Sequence, residues 1–75
     1  MMNEYVLTFN TQLDAIIAKK YCDKAHIQCK LAPVPRCLSS SCGTCAFIKV
    51  EDVGSLSNLD KEEIFINNHG EYKKL

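Results

Sequence analysis

The segment from Pro33 to Val50 constrains the fold most strongly, because it holds a polar turn between two strand-like runs. Apolar and polar side chains alternate on both sides of this turn, with Ile27, Cys29 and Leu31 before it and Ala46, Ile48 and Val50 after it. Alternation with a period of two is typical of a half-buried β-strand. The segment therefore predicts a wide hairpin, in which Cys29 points into the core.

The turn concentrates sulfur chemistry, since it carries Cys37, Cys42 and Cys45, three of the five cysteines. A thiol in a polar turn near Arg36 is placed to be exposed and ionised. Ionisation would be helped by the Arg36 charge, and by backbone N–H groups if Gly43 takes a positive φ. Arg36 is equally well read as a solvated surface charge. The turn is the predicted functional site.

Two further elements precede the hairpin. Tyr5 to Phe9 is rich in aromatic and β-branched residues, which predicts a strand. Thr11 and Asp14 resemble a capping box, so a helix is expected to begin there and to end near His26. Counted from Leu13, apolar residues recur at spacings of three and four, and the residues expected to face inward are Ile16, Ile17, Tyr21 and Ala25. Cys22 and Cys29 are interpreted as packing cysteines.

The last third of the chain predicts a second, weaker helix. Residues 51–58 are expected to form a linker, and Asp60 is a good N-cap residue. The helix is expected to run to about Asn68, with Gly70 as its stop. Residues 71–75 are expected to form a closing edge strand.

These elements predict an α+β fold in the order β-α-β-β-α-β. This is the ferredoxin-like two-layer sandwich, here with a short and weak second half. A chain of 75 residues allows a single domain, residues 1–75, with one small core.

The charge balance argues against some partners. Nine basic and nine acidic residues give a net charge of zero, so no overall field attracts nucleic acid or an anionic membrane. No apolar run approaches the roughly 18 residues of a membrane span, and the N-terminal residues lack the order of a secretory signal. An odd number of cysteines without an export signal favours reduced thiols or a bound metal over structural disulfides. A cytoplasmic protein is expected.

Several segments together resemble one small bacterial family. They are strand one, the Phe9-Asn10-Thr11 helix entry, the approach from Pro33 to Arg36, and the turn from Ser39 to Gly43. In these features the chain is similar to the selenium/sulfur carrier protein-like family. The resemblance implies a carrier that holds sulfur or selenium on Cys42 as a persulfide or selenosulfide. The implied partners are a cysteine desulfurase-type donor and a sulfur or selenium acceptor protein.

The residues add detail to this expectation. A carrier cysteine must be a thiolate to attack a donor persulfide, and two partners must reach it in turn. Cys42 in the turn meets the second need. Arg36, Ser41 and Gly43 are the expected binding residues around it, and Cys45 is a possible resolving thiol. No complete catalytic constellation is present in the sequence, so a carrier rather than an enzyme is expected.

A metal site is the main alternative. Cys37, Cys42 and Cys45 have the first three ligand spacings of plant-type 2Fe–2S ferredoxins. No cysteine follows Cys45, however, and zinc also needs a fourth ligand. Cys42 and Cys45 alone form a C-x-x-C pair that is compatible with dithiol redox chemistry. An interaction module with incidental cysteines remains a further reading. The first expectation is a carrier without a resident cofactor, and the runner-up is a metal or iron–sulfur module.

Overall fold

A five-stranded antiparallel sheet organises the chain, and the computed structural model describes residues 3–36, 38 and 42–75. The elements are β1 (Asn3–Thr8), α1 (Gln12–Lys24), β2 (Gln28–Pro33), β3 (Thr44–Val50), a 3-10 helix (Val53–Leu56), β4 (Glu63–Asn68) and β5 (Glu71–Lys74). The strands lie in the order β2-β3-β1-β4-β5. Strand β1 is therefore central, and the predicted β2–β3 hairpin is confirmed, with Pro33 paired to Thr44.

Helix α1 begins and ends close to where the sequence predicts. The Thr11 side chain accepts a hydrogen bond from the Asp14 backbone N–H at 3.3 Å, which caps the first turn. At the other end His26 adopts a left-handed φ of 58°. The Ile27 N–H then donates to the Cys22 carbonyl oxygen at 2.8 Å, which closes the last turn and directs the chain into β2.

The predicted inward stripe of α1 is largely wrong. The helix residues that are buried against the sheet are smaller, namely Ala15, Ala18 and Cys22. Ile16, Ile17 and Ala25 are exposed instead. Tyr21 is half-buried against the core, and its hydroxyl donates to the Ser55 carbonyl oxygen at 3.1 Å. The predicted set and the buried set each have the spacing of one helix face. The buried face carries the smaller side chains, which let the helix lie close to the sheet.

The predicted second helix is also wrong. Glu63 to Asn68 form β4, which pairs with β1 in an antiparallel register from Thr8–Glu63 to Glu4–Asn67. The β-branched and aromatic side chains of this segment favour a strand over the weak capping signal at Asp60. The segment 51–58, which was predicted as a linker, contains the 3-10 helix, and this helix buries Leu56.

A tight hairpin joins β4 to β5. His69 and Gly70 both have positive φ, 55° and 90°, as expected for the two central residues of a type I′ turn. Gly70 is thus a hairpin residue rather than a helix stop. The closing edge strand is confirmed as Glu71–Lys74. The α+β class is confirmed, but the ferredoxin-like element order is not, because β4, the first strand of this β-hairpin, occupies the region of the predicted second helix.

Strand alternation separates two apolar clusters on opposite faces of the sheet. The helix-side core contains Tyr5, Leu7, Phe9, Ala15, Ala18, Cys22, Ala46, Ile48, Val50, Leu56 and Leu59. The outer-face cluster contains Val6, Cys45 and Phe65, with Val34, Leu38, Phe47 and Tyr72 packed against it. No helix in the described part of the chain is both long and apolar enough to cross a membrane.

Candidate functional site

The loop between β2 and β3 has a hydrogen-bonded base. The Val34 N–H donates to the Gly43 carbonyl oxygen at 3.1 Å, and the Leu38 N–H donates to the Pro35 carbonyl oxygen at 3.0 Å. Gly43 has a φ of +74°, so the positive φ considered from the sequence is present. A side chain at this position would meet no atom within 4 Å, so the backbone conformation rather than space favours glycine.

Cys42 lies at the end of this loop, immediately before Gly43. Its side chain is half-buried and packs against the helix-side core. The thiol donates to the Thr44 carbonyl oxygen at 3.5 Å. Among the described cysteines, Cys42 is the one presented by a loop rather than by a helix or strand. A partner can therefore approach its sulfur without displacing a secondary-structure element.

The structure describes only some of the other residues that are expected to act on Cys42. Arg36 is exposed and lies in the turn that follows Pro35. Its role in stabilising a thiolate stays a prediction. Ser41 and Cys37 lie outside the described residues, so the structure gives no position for either. Gly43 provides the positive φ of the turn, and its role as a binding residue stays a prediction.

Cys45 has a different environment, although it follows Cys42 by only three residues. It is part of β3 rather than of the turn, and it is fully buried in the outer-face cluster. Its thiol points to the Pro33 carbonyl oxygen at 3.8 Å. Burial, together with a smaller electrostatic effect of Cys42, raises the pKa of Cys45 to about 11. Cys45 is therefore a poor nucleophile at neutral pH while it remains covered.

Cys22 and Cys29 form a second thiol pair within the fold. Cys22 is buried on α1, whereas Cys29 is half-buried on β2 and packs against the helix-side core, as predicted. Burial raises the pKa of Cys22, and a hydrogen bond from Cys29 partly offsets this. Burial and the neighbouring Cys22 raise the pKa of Cys29 to about 12. Both side chains behave as packing groups.

A metal site would need more ligands than the described part of the chain brings together. Within residues 3–36, 38 and 42–75, no group of three or more His, Cys, Asp or Glu side chains is arranged to hold an ion. Cys42 and Cys45 pack into different clusters. The alternative ligand set also includes Cys37, which lies outside the described residues.

Sequence reasoning missed an exposed apolar surface near this loop. Leu13, Ile16 and Ile17 lie on the outer side of α1 and are 65%, 46% and 48% exposed. The signal that could have revealed it is the run of small residues at positions 15, 18 and 22. Small side chains with helical spacing can form the contact face, which leaves the larger ones outside.

One of the three comparisons with known proteins identifies a family. No curated protein matches the chain significantly. No solved structure matches it either. A family model described as "Putative Se/S carrier protein-like" matches residues 4–73, which is nearly the whole chain. The match includes β1, α1, the Cys42 loop and the β4–β5 hairpin. The chain belongs to the Se/S carrier protein-like family.

Proposed function

We propose that this protein carries sulfur or selenium on Cys42 and passes it to another protein. The observation that supports this most strongly is the contrast among the described cysteines. Cys42 is half-exposed on a loop, whereas Cys22 and Cys45 are fully buried. The pKa of Cys29 is raised to about 12. One accessible thiol among the four described cysteines suits a carrier.

The transfer step is a thiol exchange. The Cys42 thiolate attacks the outer sulfur of a persulfide on a cysteine desulfurase-type donor. A bond forms between Cys42 Sγ and that sulfur, the donor sulfur–sulfur bond breaks, and the donor cysteine leaves as a thiolate. No external oxidant or reductant is consumed. An acceptor protein then takes the outer sulfur by the same reaction, and selenium would be carried as a selenosulfide.

The loop must change locally for this reaction. The Cys42 thiol donates to the Thr44 carbonyl oxygen, and a thiolate has no proton to donate. The ionised sulfur is therefore expected to rotate away from this oxygen and toward solvent, where a donor reaches it. Arg36, exposed on the same loop, is the proposed cation for the thiolate. The protein needs no catalytic constellation of its own, and the cytoplasm is the compartment that keeps such thiols reduced.

Cys45 is proposed as a resolving thiol that acts only when it is uncovered. Its thiolate would attack Cys42 Sγ, form a Cys42–Cys45 disulfide and expel the outer sulfur as hydrosulfide. Val34 and Leu38 pack over the cluster that contains Cys45. Their cover therefore protects a persulfide on Cys42 from premature loss.

The test is the pattern of persulfide loading in three variants. Each protein is incubated anaerobically with a cysteine desulfurase and L-cysteine, then measured by intact mass and by a tag-switch assay. Cys42→Ser is expected to abolish loading, because no other sulfur replaces it. Cys37→Ser is expected to retain most of the loading. Cys45→Ser is expected to hold the persulfide longer than the parent protein.

The same preparations distinguish the carrier from a metal module by elemental analysis. Ligands to one ion share a coordination shell, so removing any of the three cysteines would weaken the same bound metal. Equal loss of iron or zinc in all three variants, with no persulfide in the parent protein, would overturn the proposal.

A further inference from the structure

An apolar and basic stripe runs along the outer side of α1, opposite the buried helix face. Leu13, Ile16 and Ile17 form its apolar half, and Lys20 and Lys24 continue the same line at helical spacing. These five residues are called the outer stripe. The three apolar side chains are between 46% and 65% exposed. Adjacent exposed apolar side chains of this kind often mark a protein interaction site.

The apolar half lies at the same end of the sheet as the Cys42 loop. Thr8, the last residue of β1, pairs with Cys45 near the start of β3. Thr11, the cap of α1, follows Thr8 by three residues, and Cys42 precedes Cys45 by three. Three extended residues span at most about 10 Å. The start of α1 and Cys42 therefore lie at one end of the sheet, so a protein that reaches Cys42 from this end can also contact Leu13 at the start of the stripe.

The charges on α1 indicate what kind of surface fits the stripe. Lys19 and Asp23 pair with each other at 2.9 Å, so the basic character of the stripe comes from Lys20 and Lys24. A shallow groove beside them is lined by Ile17, Lys20, Tyr21, Asp23 and Lys24. A complementary surface would have an apolar centre for Leu13 and Ile17, and carboxylates opposite the two lysines.

A second copy of the chain fits the stripe poorly. Two antiparallel copies of α1 would place Lys24 of one over Leu13 of the other, and Lys20 over Ile17. The stripe itself carries no carboxylate to receive these lysines. Pairing would therefore desolvate four ammonium groups against apolar side chains. The charges favour a different protein as the occupant.

We propose that the outer stripe is the docking surface for the sulfur-donating protein, through an apolar patch flanked by carboxylates on that donor. The inference rests on the proposed carrier function. It adds the surface that brings a donor persulfide to Cys42. Docking through α1 leaves Cys42 itself uncovered during transfer.

The experiment compares a sulfur source that needs no docking surface with one that is expected to need it. One is glutathione persulfide, which is too small to use the stripe. The other is a purified cysteine desulfurase with L-cysteine. The test variants are the double replacement Leu13→Gln with Ile17→Gln, and separately Lys20→Glu. Glutamine is a good helix former, and circular dichroism confirms that each variant folds. The matched controls are Leu75→Gln and Lys73→Glu, which change exposed residues at the opposite edge of the sheet.

The stripe variants are expected to load from the desulfurase about tenfold more slowly than the parent, as for the loss of an interface anchor. Their loading from glutathione persulfide should be unchanged, and the controls should match the parent with both sources. Lys20→Glu should also reduce the salt dependence of desulfurase loading. Equal desulfurase rates in the parent and the stripe variants would overturn docking while leaving the carrier function intact.

Two other outcomes would also overturn the proposal. Loading from glutathione persulfide but not from the desulfurase would show that the donor class is wrong. A dimer of the parent that dissociates in the double variant, measured by analytical ultracentrifugation, would assign the stripe to a second copy. Failure of both sulfur sources to load Cys42 would instead reject the carrier function itself.

Discussion

Cys42 and Cys45 are three residues apart in sequence, but the fold treats them very differently. Cys42 lies on the loop and packs at the edge of the helix-side core, half-buried. Cys45 lies in β3 and is fully buried in the outer-face cluster. The first thiol lies on a loop that a partner can approach, whereas the second belongs to a buried cluster against which Val34 and Leu38 pack.

This contrast shows that spacing alone does not make a dithiol site. The C-x-x-C pair crosses the boundary between a loop and a strand, since β3 begins at Thr44. Once the chain enters the strand, successive side chains point to opposite faces. Ala46 faces the helix-side core, so Cys45 must face the other way. The motif therefore separates a half-buried sulfur on the loop from a fully buried one in the strand.

The largest expected difference is in alkylation. At pH 8 we expect Cys42 to react with limiting iodoacetamide at least about a hundredfold faster than Cys45, because a thiol with a pKa of about 11 is only about one part in a thousand ionised. Burial slows Cys45 further. Peptide mapping of the labelled protein measures both rates. Faster labelling of Cys22, Cys29 or Cys45 than of Cys42 would show that the accessible thiol has been misplaced.

A smaller difference is expected in stability. Cys45→Ala should lower the free energy of unfolding by about 1–2 kcal/mol, because it leaves a small cavity in a fully buried position. Cys42→Ala should cost less than about half of that, since its side chain is half-buried. Urea unfolding of both variants gives the comparison. Equal losses would mean that the two side chains are packed alike.

Gly43 sets the backbone between the two cysteines, and its replacement has a modest expected effect. Gly43→Ala should destabilise the protein by about 1 kcal/mol, because φ is +74° and alanine disfavours that region. Gly43→Asn should cost less, since asparagine tolerates the left-handed conformation better. Urea unfolding distinguishes the two variants. A neutral Gly43→Ala variant would show that the loop does not depend on this conformation.

A further effect, comparable in size to that of Gly43→Ala, is expected in alkaline solution. The Cys45 pKa is raised in the folded state from an ordinary value of 9.0 to about 11. The unfolded thiol releases its proton first, so above pH 9 the unfolded state binds fewer protons. Stability is therefore present in full below pH 9 and is lost as the pH rises through about 11. Urea midpoints at pH 8 and pH 10 should fall more in the parent than in Cys45→Ala. An equal fall of the urea midpoint in the parent and in Cys45→Ala would contradict the burial of Cys45.

Much of the hairpin and of α1 follows from local patterns in the sequence. Alternation of Ala46, Ile48 and Val50 predicts β3 correctly, and Thr11 with Asp14 predicts the start of α1. Gly43 before a strand correctly indicates a left-handed turn. These signals are local, so no distant contact is needed to interpret them.

The errors arise where packing decides between two local patterns. The stripe containing Ile16 and Ile17 looks like a buried face, but the sheet contacts the smaller face with Ala15 and Ala18. Capping signals at Asp60 favour a helix, yet pairing of the following residues with β1 makes them a strand. The position of Cys45 in β3 could have been predicted from the alternation of Ala46, Ile48 and Val50. The packing of Leu38 against the outer-face cluster could not, because Leu38 comes from the loop.

The most direct test of the account is the position of the added sulfur in the unmutated protein. The protein is treated anaerobically with glutathione persulfide, its remaining thiols are blocked, and the tryptic peptide spanning residues 37–49 is fragmented in a mass spectrometer. This peptide contains Cys37, Cys42 and Cys45, and its fragments place the sulfur on one of them. The account predicts the extra sulfur on Cys42, with Cys45 recovered as a blocked thiol after unfolding. Sulfur on Cys45, or on Cys22 or Cys29 in other peptides, would contradict it.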